Sequence, residues 1–273
     1  MSPPVPGLGP AGPAPAPPPG AKLYSTCLII AAWKGDRRCQ DPRASDPDFY
    51  LRAQLERLQR VPNGLSELLI VWNNPPASAC RVLDWPYGLV RDGACACGLI
   101  ERPNIGISYG AFSEGYRLVR EHSPPHDVFI FTEDDYIFTC PDWDQKLAGW
   151  LDELGPVTGM ICGLVCPMHV SSLQKQPPET HPGIAIWASA RPALERVWER
   201  EGRRLPHYQN DPAGRCDYYL HEIHGQIALG QAFNKAGLRI ADIGSRYRIP
   251  FHTVNGQIKV YHDNHPEALF MPV

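Results

Sequence analysis

The sequence predicts an α/β protein whose central sheet is mainly parallel and is flanked by helices. Apolar runs rich in strand-forming residues alternate along the chain with segments that repeat apolar residues every three or four positions. The apolar runs are nearly continuous, which is typical of strands buried on both faces. Polar residues follow these runs, and open parallel sheets bind ligands beyond the carboxyl ends of their strands.

Composition separates a tail from a domain. Residues 1–21 are almost entirely Pro, Gly and Ala, and we expect them to form a disordered tail because they lack side chains for a packed core. The rest of the chain, residues 22–273, is expected to form a single domain. The sequence has 43% hydrophobic residues, which is sufficient for a substantial core.

Charge and hydropathy exclude several classes of partner. The net charge is −3, so there is no basic surplus to favour nucleic acid or an anionic membrane. The sequence contains no run of about 18 apolar residues, so we expect no membrane span, and its start does not resemble a secretory signal. The nine cysteines do not form paired C-x-x-C motifs, which favours scattered reduced thiols and a cytoplasmic location.

The first half of the chain predicts four strands and two helices. One helix begins near Asp46 and Pro47 and repeats Leu51, Leu55 and Leu58. The second follows Ser108, a good N-cap residue, and repeats apolar residues at spacings of four and three. The strands are predicted at 23–33, 66–74, 97–104 and 127–135.

The second half predicts three further strands and three helices. The apolar spacing from Trp143 to Leu154 predicts a helix. Another helix is predicted from about Glu222 to Ala236, and Gly237 occupies a favourable C-cap position. A third covers 191–200, and the strands are predicted at 159–166, 183–189 and 238–243.

Polar residues stand directly after the predicted strands. In a parallel sheet these positions converge at one edge, where a ligand would bind. We expect the following residues to meet there: Trp33, Asp36, Asn73, Asn74, Asn104 and the acidic residues Glu133, Asp134 and Asp135.

The acidic triplet Glu133, Asp134 and Asp135 ends a hydrophobic strand. Adjacent carboxylates repel each other, and leaving them unpaired in a partly buried site is costly. A hard divalent cation with oxygen ligands would offset that cost. A solvated acidic turn is the alternative for these residues considered alone.

Four segments resemble the GT-A glycosyltransferases, most closely those of family 2. They are LIIAAWKGD (28–36), LLIVWNN (68–74), ERPNIGISYGAFSEGY (101–116) and VFIFTEDDYIF (128–138). The second is also similar to a VVWNN run of exostosin-like transferases, and the last resembles the strand that carries the DxD motif. The resemblance covers about residues 22–245. It implies a GT-A fold with a nucleotide-sugar half at 22–140 and an acceptor half at 141–273.

The resemblance also implies roles for the residues at the strand ends. Asp135 and Glu133 would hold Mn²⁺ or Mg²⁺ against the diphosphate of a UDP- or GDP-sugar, because a divalent cation stabilises charge on the leaving group. Asp134 would touch the ribose or the donor sugar. The base and ribose would be bound by Trp33, Asp36, Asn73 and Asn104. The alternatives are a core tryptophan for Trp33, a surface turn for Asp36 and a turn-forming residue for Asn104. The acceptor would be a glycan, a lipid or a protein.

An inverting transferase needs a base that accepts the proton of the acceptor hydroxyl. In the resembling family this base is a carboxylate on the helix that ends in a turn similar to AGLRI (236–240). Counting back places the usual Glu-Asp pair at Gly225 and Gln226, which is a departure from the family pattern. Glu222 and Asp217 are the nearest candidates, and Glu222 is expected near the helix start, where the helix dipole favours an anion.

Three histidines have alternative interpretations. His221 and His224 are three positions apart and could share a zinc ion, although the H-E-x-x-H signature is absent. His252 could be a third ligand of the divalent metal, as a late histidine is in many GT-A enzymes. A histidine hydrogen-bonded between loops is the other possibility for His252.

Two other functions stay open at the level of sequence. A nucleotidyltransferase has a similar α/β sheet and carboxylate-held metal, but it normally carries a Gly-rich phosphate loop where this chain has AAWKGDRR (31–38). A binding protein that retains the fold without the base is the non-enzyme alternative, and the departure at Gly225 and Gln226 supports it. The retaining exostosin-like similarity also leaves the stereochemistry of transfer open.

Overall fold

The structure is a computed structural model. It describes residues 23–33, 49–74, 81–83, 95–138, 140–163, 165–167, 180–182, 186–210, 218–243 and 251–253.

Twelve strands are present in the described residues. They are β1 (Thr26–Trp33), β2 (Glu67–Asn74), β3 (Arg81–Leu83), β4 (Ala96–Pro103), β5 (Val128–Glu133), β6 (Tyr136–Phe138), β7 (Thr158–Cys162), β8 (Val165–Pro167), β9 (Thr180–Pro182), β10 (Trp187–Ala190), β11 (Arg239–Asp242) and β12 (Phe251–Thr253). The helices are α1 (Phe49–Arg60), α2 (Ile107–His122), α3 (Trp143–Leu154), α4 (Arg191–Arg200), α5 (Tyr218–His221) and α6 (Ala228–Lys235), and a π-helical turn (Glu222–Ile227) joins the last two.

Eight strands form one mainly parallel sheet in the order β11-β7-β10-β5-β1-β2-β4-β3. Strands β5, β1, β2 and β4 are mutually parallel, whereas β10 and β3 run antiparallel to their neighbours. Two small antiparallel pairs, β6 with β12 and β8 with β9, lie outside the sheet. The predicted α/β class with a mainly parallel, helix-flanked sheet is therefore confirmed.

Both faces of the sheet are buried, as the continuous apolar strands predict. Successive residues of β1 point to opposite faces, so Ile29 packs in one core and Ile30 in the other. Helices α2, α4 and α6 cover the first face, with Phe112, Trp198 and Phe233 among their buried residues. Helices α1 and α3 cover the second face.

Some of the predicted helix and strand boundaries agree with the structure, and others do not. The helix predicted over 191–200 is observed over the same residues. Gly237 adopts φ +71, and the amides of Gly237 and Leu238 donate to the carbonyls of Asn234 and Phe233, which closes a Schellman motif at the end of α6. The strand predicted at 127–135 ends at Glu133, and the run 159–166 contains two strands, β7 and β8.

Two predicted helix starts are wrong. Ser108 is not the N-cap of α2, because Gly106 holds that position in a left-handed conformation that a glycine adopts without steric cost. The last long helical stretch begins at Tyr218 rather than near Glu222. The predicted helix start at Asp46 and Pro47 lies outside the described residues.

Candidate functional site

The strand register places three residues side by side near the ends of neighbouring parallel strands. Trp33 of β1 pairs with Asn73 of β2, and Asn73 pairs with Arg102 of β4. Glu133 pairs with Ala31, two positions before the end of β1. The polar residues that follow the parallel strands therefore converge at one edge of the sheet, as the sequence predicts.

Asp134 joins the ends of β1 and β5. It lies in the turn after β5 and is only 3% exposed. Its backbone N–H donates to the carbonyl of Ala31 at 3.1 Å, and its Oδ2 accepts a hydrogen bond from the backbone N–H of Trp33 at 3.2 Å. The side chain thus has a structural role, and its contact with a ribose or a sugar stays a prediction.

Glu133 and Asp135 are the more accessible members of the triplet, since both are partly exposed. The carbonyl of Glu133 accepts a hydrogen bond from the Nε2 of Gln54 at 3.0 Å, which anchors the strand end to α1. Mg²⁺ commonly takes one or two carboxylates together with substrate phosphates and water. Glu133 and Asp135 are carboxylates of this kind, and their role as metal ligands stays a prediction.

His252 belongs to a segment that lies beside the acidic turn. β12 pairs antiparallel with β6, and His252 is the backbone partner of Ile137 while Thr253 is the partner of Tyr136. Tyr136 directly follows Asp135 in the chain. In the part of the chain that the structure describes, no three acidic, His or Cys side chains are already gathered as a metal site, so the metal-ligand role of His252 stays a prediction.

Arg102 and Asn73 organise the turn that leads from β4 into α2. The guanidinium of Arg102 donates to Asn73 Oδ1 at 2.8 Å and to the carbonyl of Ile105 at 2.9 Å. The Nδ2 of Asn73 donates to the carbonyl of Ile107 at 3.1 Å. Both ends of the Asn73 amide are therefore used to position the start of α2, and its contact with a nucleotide is untested.

Asn104 and Gly106 are held in place by Asn210. The Oδ1 of Asn210 accepts from the N–H of Gly106 at 2.6 Å, and its Nδ2 donates to the carbonyl of Asn104 at 2.7 Å. The side-chain Oδ1 of Asn104 is buried and accepts no hydrogen bond from the described residues. An unsatisfied buried acceptor costs about 1–3 kcal/mol, so a ligand donor at this position would be stabilising.

The π-helical turn packs on Tyr109 of α2. A Cβ placed on Gly225 would lie 2.9 Å from Cδ2 of Tyr109, so only a glycine fits against the ring without a shift. A carboxylate side chain therefore has no room at this position. Single π-helical turns occur frequently at functional sites.

The phenol of Tyr109 is buried against the π-helical turn. The side chain is 1% exposed, and its hydroxyl has no hydrogen-bond partner among the described residues. Burial raises the pKa of Tyr109 well above its ordinary value, and the charges of Glu133 and Glu222 raise it further. The hydroxyl is therefore held in its neutral form.

His221 is a neutral imidazole beside the ring of Tyr109. Burial lowers its pKa from 6.5 to about 4. Its Nε2 lies 3.4 Å from Ser108 Oγ, and its ring centroid lies 5.3 Å from that of Tyr109. His224 is exposed, and its ring is nearly parallel to that of Tyr208. The His221 and His224 imidazoles therefore contact different rings, and this arrangement does not favour a shared zinc site.

Glu222 is exposed on the π-helical turn, at the fifth position of the continuous helical stretch that starts with Tyr218. Glu222 therefore lies close to the first helical residue that the structure describes, with one helical turn before it, and its role as the base stays a prediction. Asp217 and Asp36 lie outside the described residues.

Three residues of this region were missed by the sequence analysis: Arg102, Tyr109 and His221. Arg102 lies in the ERPNIG segment, directly before a turn-forming Pro and Asn, and this position is a signal that could have identified it. Tyr109 fits the apolar spacing of α2 and gives no separate signal. His221 was considered only as a zinc ligand, and nothing in its sequence neighbourhood predicts its burial.

Comparison with known proteins adds little to these observations. No family model and no curated protein matches the sequence. Among solved structures, one similar chain is a CMP-2-keto-3-deoxy-manno-octonic acid synthetase complexed with CTP, with 13% sequence identity and a TM-score of 0.41 over 80% of this chain and 88% of that chain. Similarity at this level supports no conclusion about activity. None of the helices that the structure describes is long and apolar enough to cross a bilayer.

Proposed function

We propose that the protein is a metal-dependent glycosyltransferase that moves a sugar from a UDP- or GDP-sugar to an acceptor hydroxyl. One observation carries the proposal: helix α2 begins at the strand-end turn held by Asn73, and its Tyr109 packs against Gly225 of the π-helical turn. The strand ends proposed to bind the donor and the helical turn proposed to bind the acceptor are therefore both joined to the first turn of α2. Transfer between two substrates requires such neighbouring sites.

The proposed donor site lies along the sheet edge. Trp33 offers an aromatic face for the base, and the buried Oδ1 of Asn104 offers an acceptor for a donor group of the nucleotide. Glu133 and Asp135 would hold the divalent cation, and His252 would complete its ligands. When bound, Mn²⁺ or Mg²⁺ supplies positive charge that stabilises the departing diphosphate.

The proposed reaction is a displacement at the anomeric carbon. The acceptor oxygen forms a bond to that carbon, the bond from the carbon to the diphosphate oxygen breaks, and the nucleoside diphosphate leaves with the electron pair. Glu222 accepts the proton of the acceptor hydroxyl, and Asp217 is the alternative base. This sequence of events inverts the anomeric configuration.

The deciding experiment measures products rather than binding. The protein is incubated with Mn²⁺, a panel of UDP- and GDP-sugars and a panel of acceptor compounds that carry free hydroxyl groups, and separately with nucleoside triphosphates and sugar phosphates. A glycosyltransferase releases nucleoside diphosphate from the first set, whereas a nucleotidyltransferase releases pyrophosphate from the second. Binding of the nucleotides without either product would indicate the binding-protein alternative and would overturn the proposal.

A further inference from the structure

A pocket of about 370 Å³ lies at the meeting of three segments: the residues that follow α4, the extended chain at 206–209 and the π-helical turn. Its volume is within the range of small-molecule sites, about 300–1,000 Å³. The pocket is separate from the acidic strand end. Its polar lining consists of Glu201, Arg204, His207, Tyr208, Gln209 and His224.

The lining offers hydrogen-bond donors and acceptors, with one permanent cation and one carboxylate. Arg204 is exposed, and a guanidinium fork binds carboxylate and phosphate groups in two-point contacts. Arg204 therefore offers a binding point for an anionic group, whereas the Glu201 carboxylate offers an acceptor for hydroxyl groups.

The aromatic groups of the pocket are fixed in position. The Nδ1 of His207 donates to the carbonyl of Leu205 at 2.8 Å, which leaves its Nε2 as an acceptor for Gln209 Nε2 at 2.6 Å. The rings of Tyr208 and His224 are nearly parallel, with an interplanar angle of 18° and centroids 6.1 Å apart. Apolar ring faces beside polar groups suit a sugar ring, which has apolar faces and hydroxyl edges.

The pocket shares a wall with the turn of the proposed donor site. A Cβ on Gly106 would lie 2.6 Å from Cδ2 of His207, so the imidazole packs directly on that turn. Three residues further on, Asn210 binds both Gly106 and Asn104. A ligand in the pocket would therefore lie next to the donor-binding turn and next to the π-helical turn that carries Glu222.

We propose that this pocket is the acceptor site and that it takes a sugar bearing a negatively charged group, which Arg204 holds while the sugar ring lies beside Tyr208 and His224. The anionic group would be a carboxylate, as in a uronic acid, or a phosphate, as in a sugar phosphate. Glu201 would accept hydrogen bonds from sugar hydroxyls. The assignment as an acceptor site rests on the proposed glycosyl transfer, whereas the binding of an anionic sugar does not.

The test is a titration of the full-length protein with no donor present. Glucuronate, glucose 6-phosphate and neutral glucose are added separately, and the ¹⁵N signals of the histidine side chains are followed by NMR. We expect glucuronate or glucose 6-phosphate to shift the signals of His207 and His224, with glucose requiring at least about tenfold higher concentration. The probe that binds more tightly identifies the anionic group.

Matched variants make the test specific. Arg204→Gln should weaken binding of the anionic probe by about tenfold or more, which is the size expected for one lost charged hydrogen-bonded contact. Arg200→Gln removes another exposed arginine from α4 outside the pocket and should leave binding unchanged. Equal binding of glucose and the anionic probes, absence of shifts at both histidines, or equal effects of the two variants would overturn the proposal. None of these readouts needs nucleotide-sugar turnover, so failure of the pocket and failure of the proposed function are distinguishable.

Discussion

Gly225 of the π-helical turn lies directly against the ring of Tyr109, so that a Cβ at this glycine would come within 2.9 Å of Cδ2 of the ring. Gly225→Ala should therefore destabilise the protein by about 1–3 kcal/mol, because the added methyl group overpacks a buried contact. Chemical denaturation measures the effect as a lower midpoint with an unchanged slope.

Gly149 is the matched control for this substitution. It lies in α3, and a Cβ there would meet nothing within 4 Å. Gly149→Ala should stabilise the protein by up to about 1 kcal/mol, since alanine favours the helix. If Gly225→Ala is as stable as wild type, the contact with Tyr109 does not require a glycine.

The contact between Gly225 and Tyr109 is a feature that the sequence alone does not predict, whereas the strand ends are predictable. The strand ends were predictable because the apolar run of β5 stops at Glu133, and that of β2 stops at Asn73, each followed by turn-forming residues. The spacing of polar residues after parallel strands then predicted their convergence. These features depend on local pattern and on a general property of parallel sheets.

Other features depend on long-range packing that leaves no local pattern. The π-helical turn is too short to leave a sequence period that differs from that of an α-helix. The pairing of His252 with Ile137 joins two three-residue strands. Ser108 has the right residue type for a cap, but its hydroxyl instead lies 3.4 Å from His221. Tertiary contacts at these positions override the local preference.

Asp135 and Asp134 should respond differently to substitution. Asp135→Asn removes one anionic ligand from the partly exposed side of the turn, and we expect loss of Mn²⁺-dependent UDP or GDP binding with little change in melting temperature. Asp134→Ala removes the acceptor for the Trp33 N–H and should cost about 1–3 kcal/mol of stability. Isothermal titration and thermal unfolding separate the two effects. Equal nucleotide affinity with and without Mn²⁺ in both wild type and Asp135→Asn would remove the cation from the mechanism.

His221 should make stability depend on pH. Its pKa is about 4 in the folded protein against 6.5 ordinarily, so the unfolded state binds more protons between these values. The free energy of unfolding should therefore fall as the pH drops from 6.5 to 4, by at most about 3 kcal/mol, and partial exposure of the ring makes the loss smaller. Urea unfolding at pH 7 and pH 4 measures this difference.

His221→Asn should reduce that difference between pH 7 and pH 4, because the titrating imidazole is gone. His122→Asn, at an exposed position of α2, is the control and should keep the wild-type difference. Comparing variants with wild type at each pH removes the contribution of the carboxylates, which titrate in all three proteins. An unchanged difference in His221→Asn would show that the imidazole is not the group responsible.

The identity of the base is tested by Glu222 and Asp217. The acceptor hydroxyl has a pKa far above 7, so transfer needs a group that takes its proton as the new bond forms. General-base assistance contributes about 10²- to 10⁴-fold to the rate, or roughly 3–5 kcal/mol of barrier. Glu222→Gln should lower turnover by that factor. Nucleotide-sugar affinity should be preserved, because the proposed diphosphate site is at Glu133 and Asp135.

Asp217→Asn is the matched control and should have a smaller effect on turnover. Because Glu222 is on an exposed turn inside a helical stretch, its substitution should leave the melting temperature unchanged, so a loss of activity is not a folding defect. Abolished transfer in Asp217→Asn with normal transfer in Glu222→Gln would make Asp217 the base. Full activity in both variants would show that neither carboxylate is the base of an inverting mechanism.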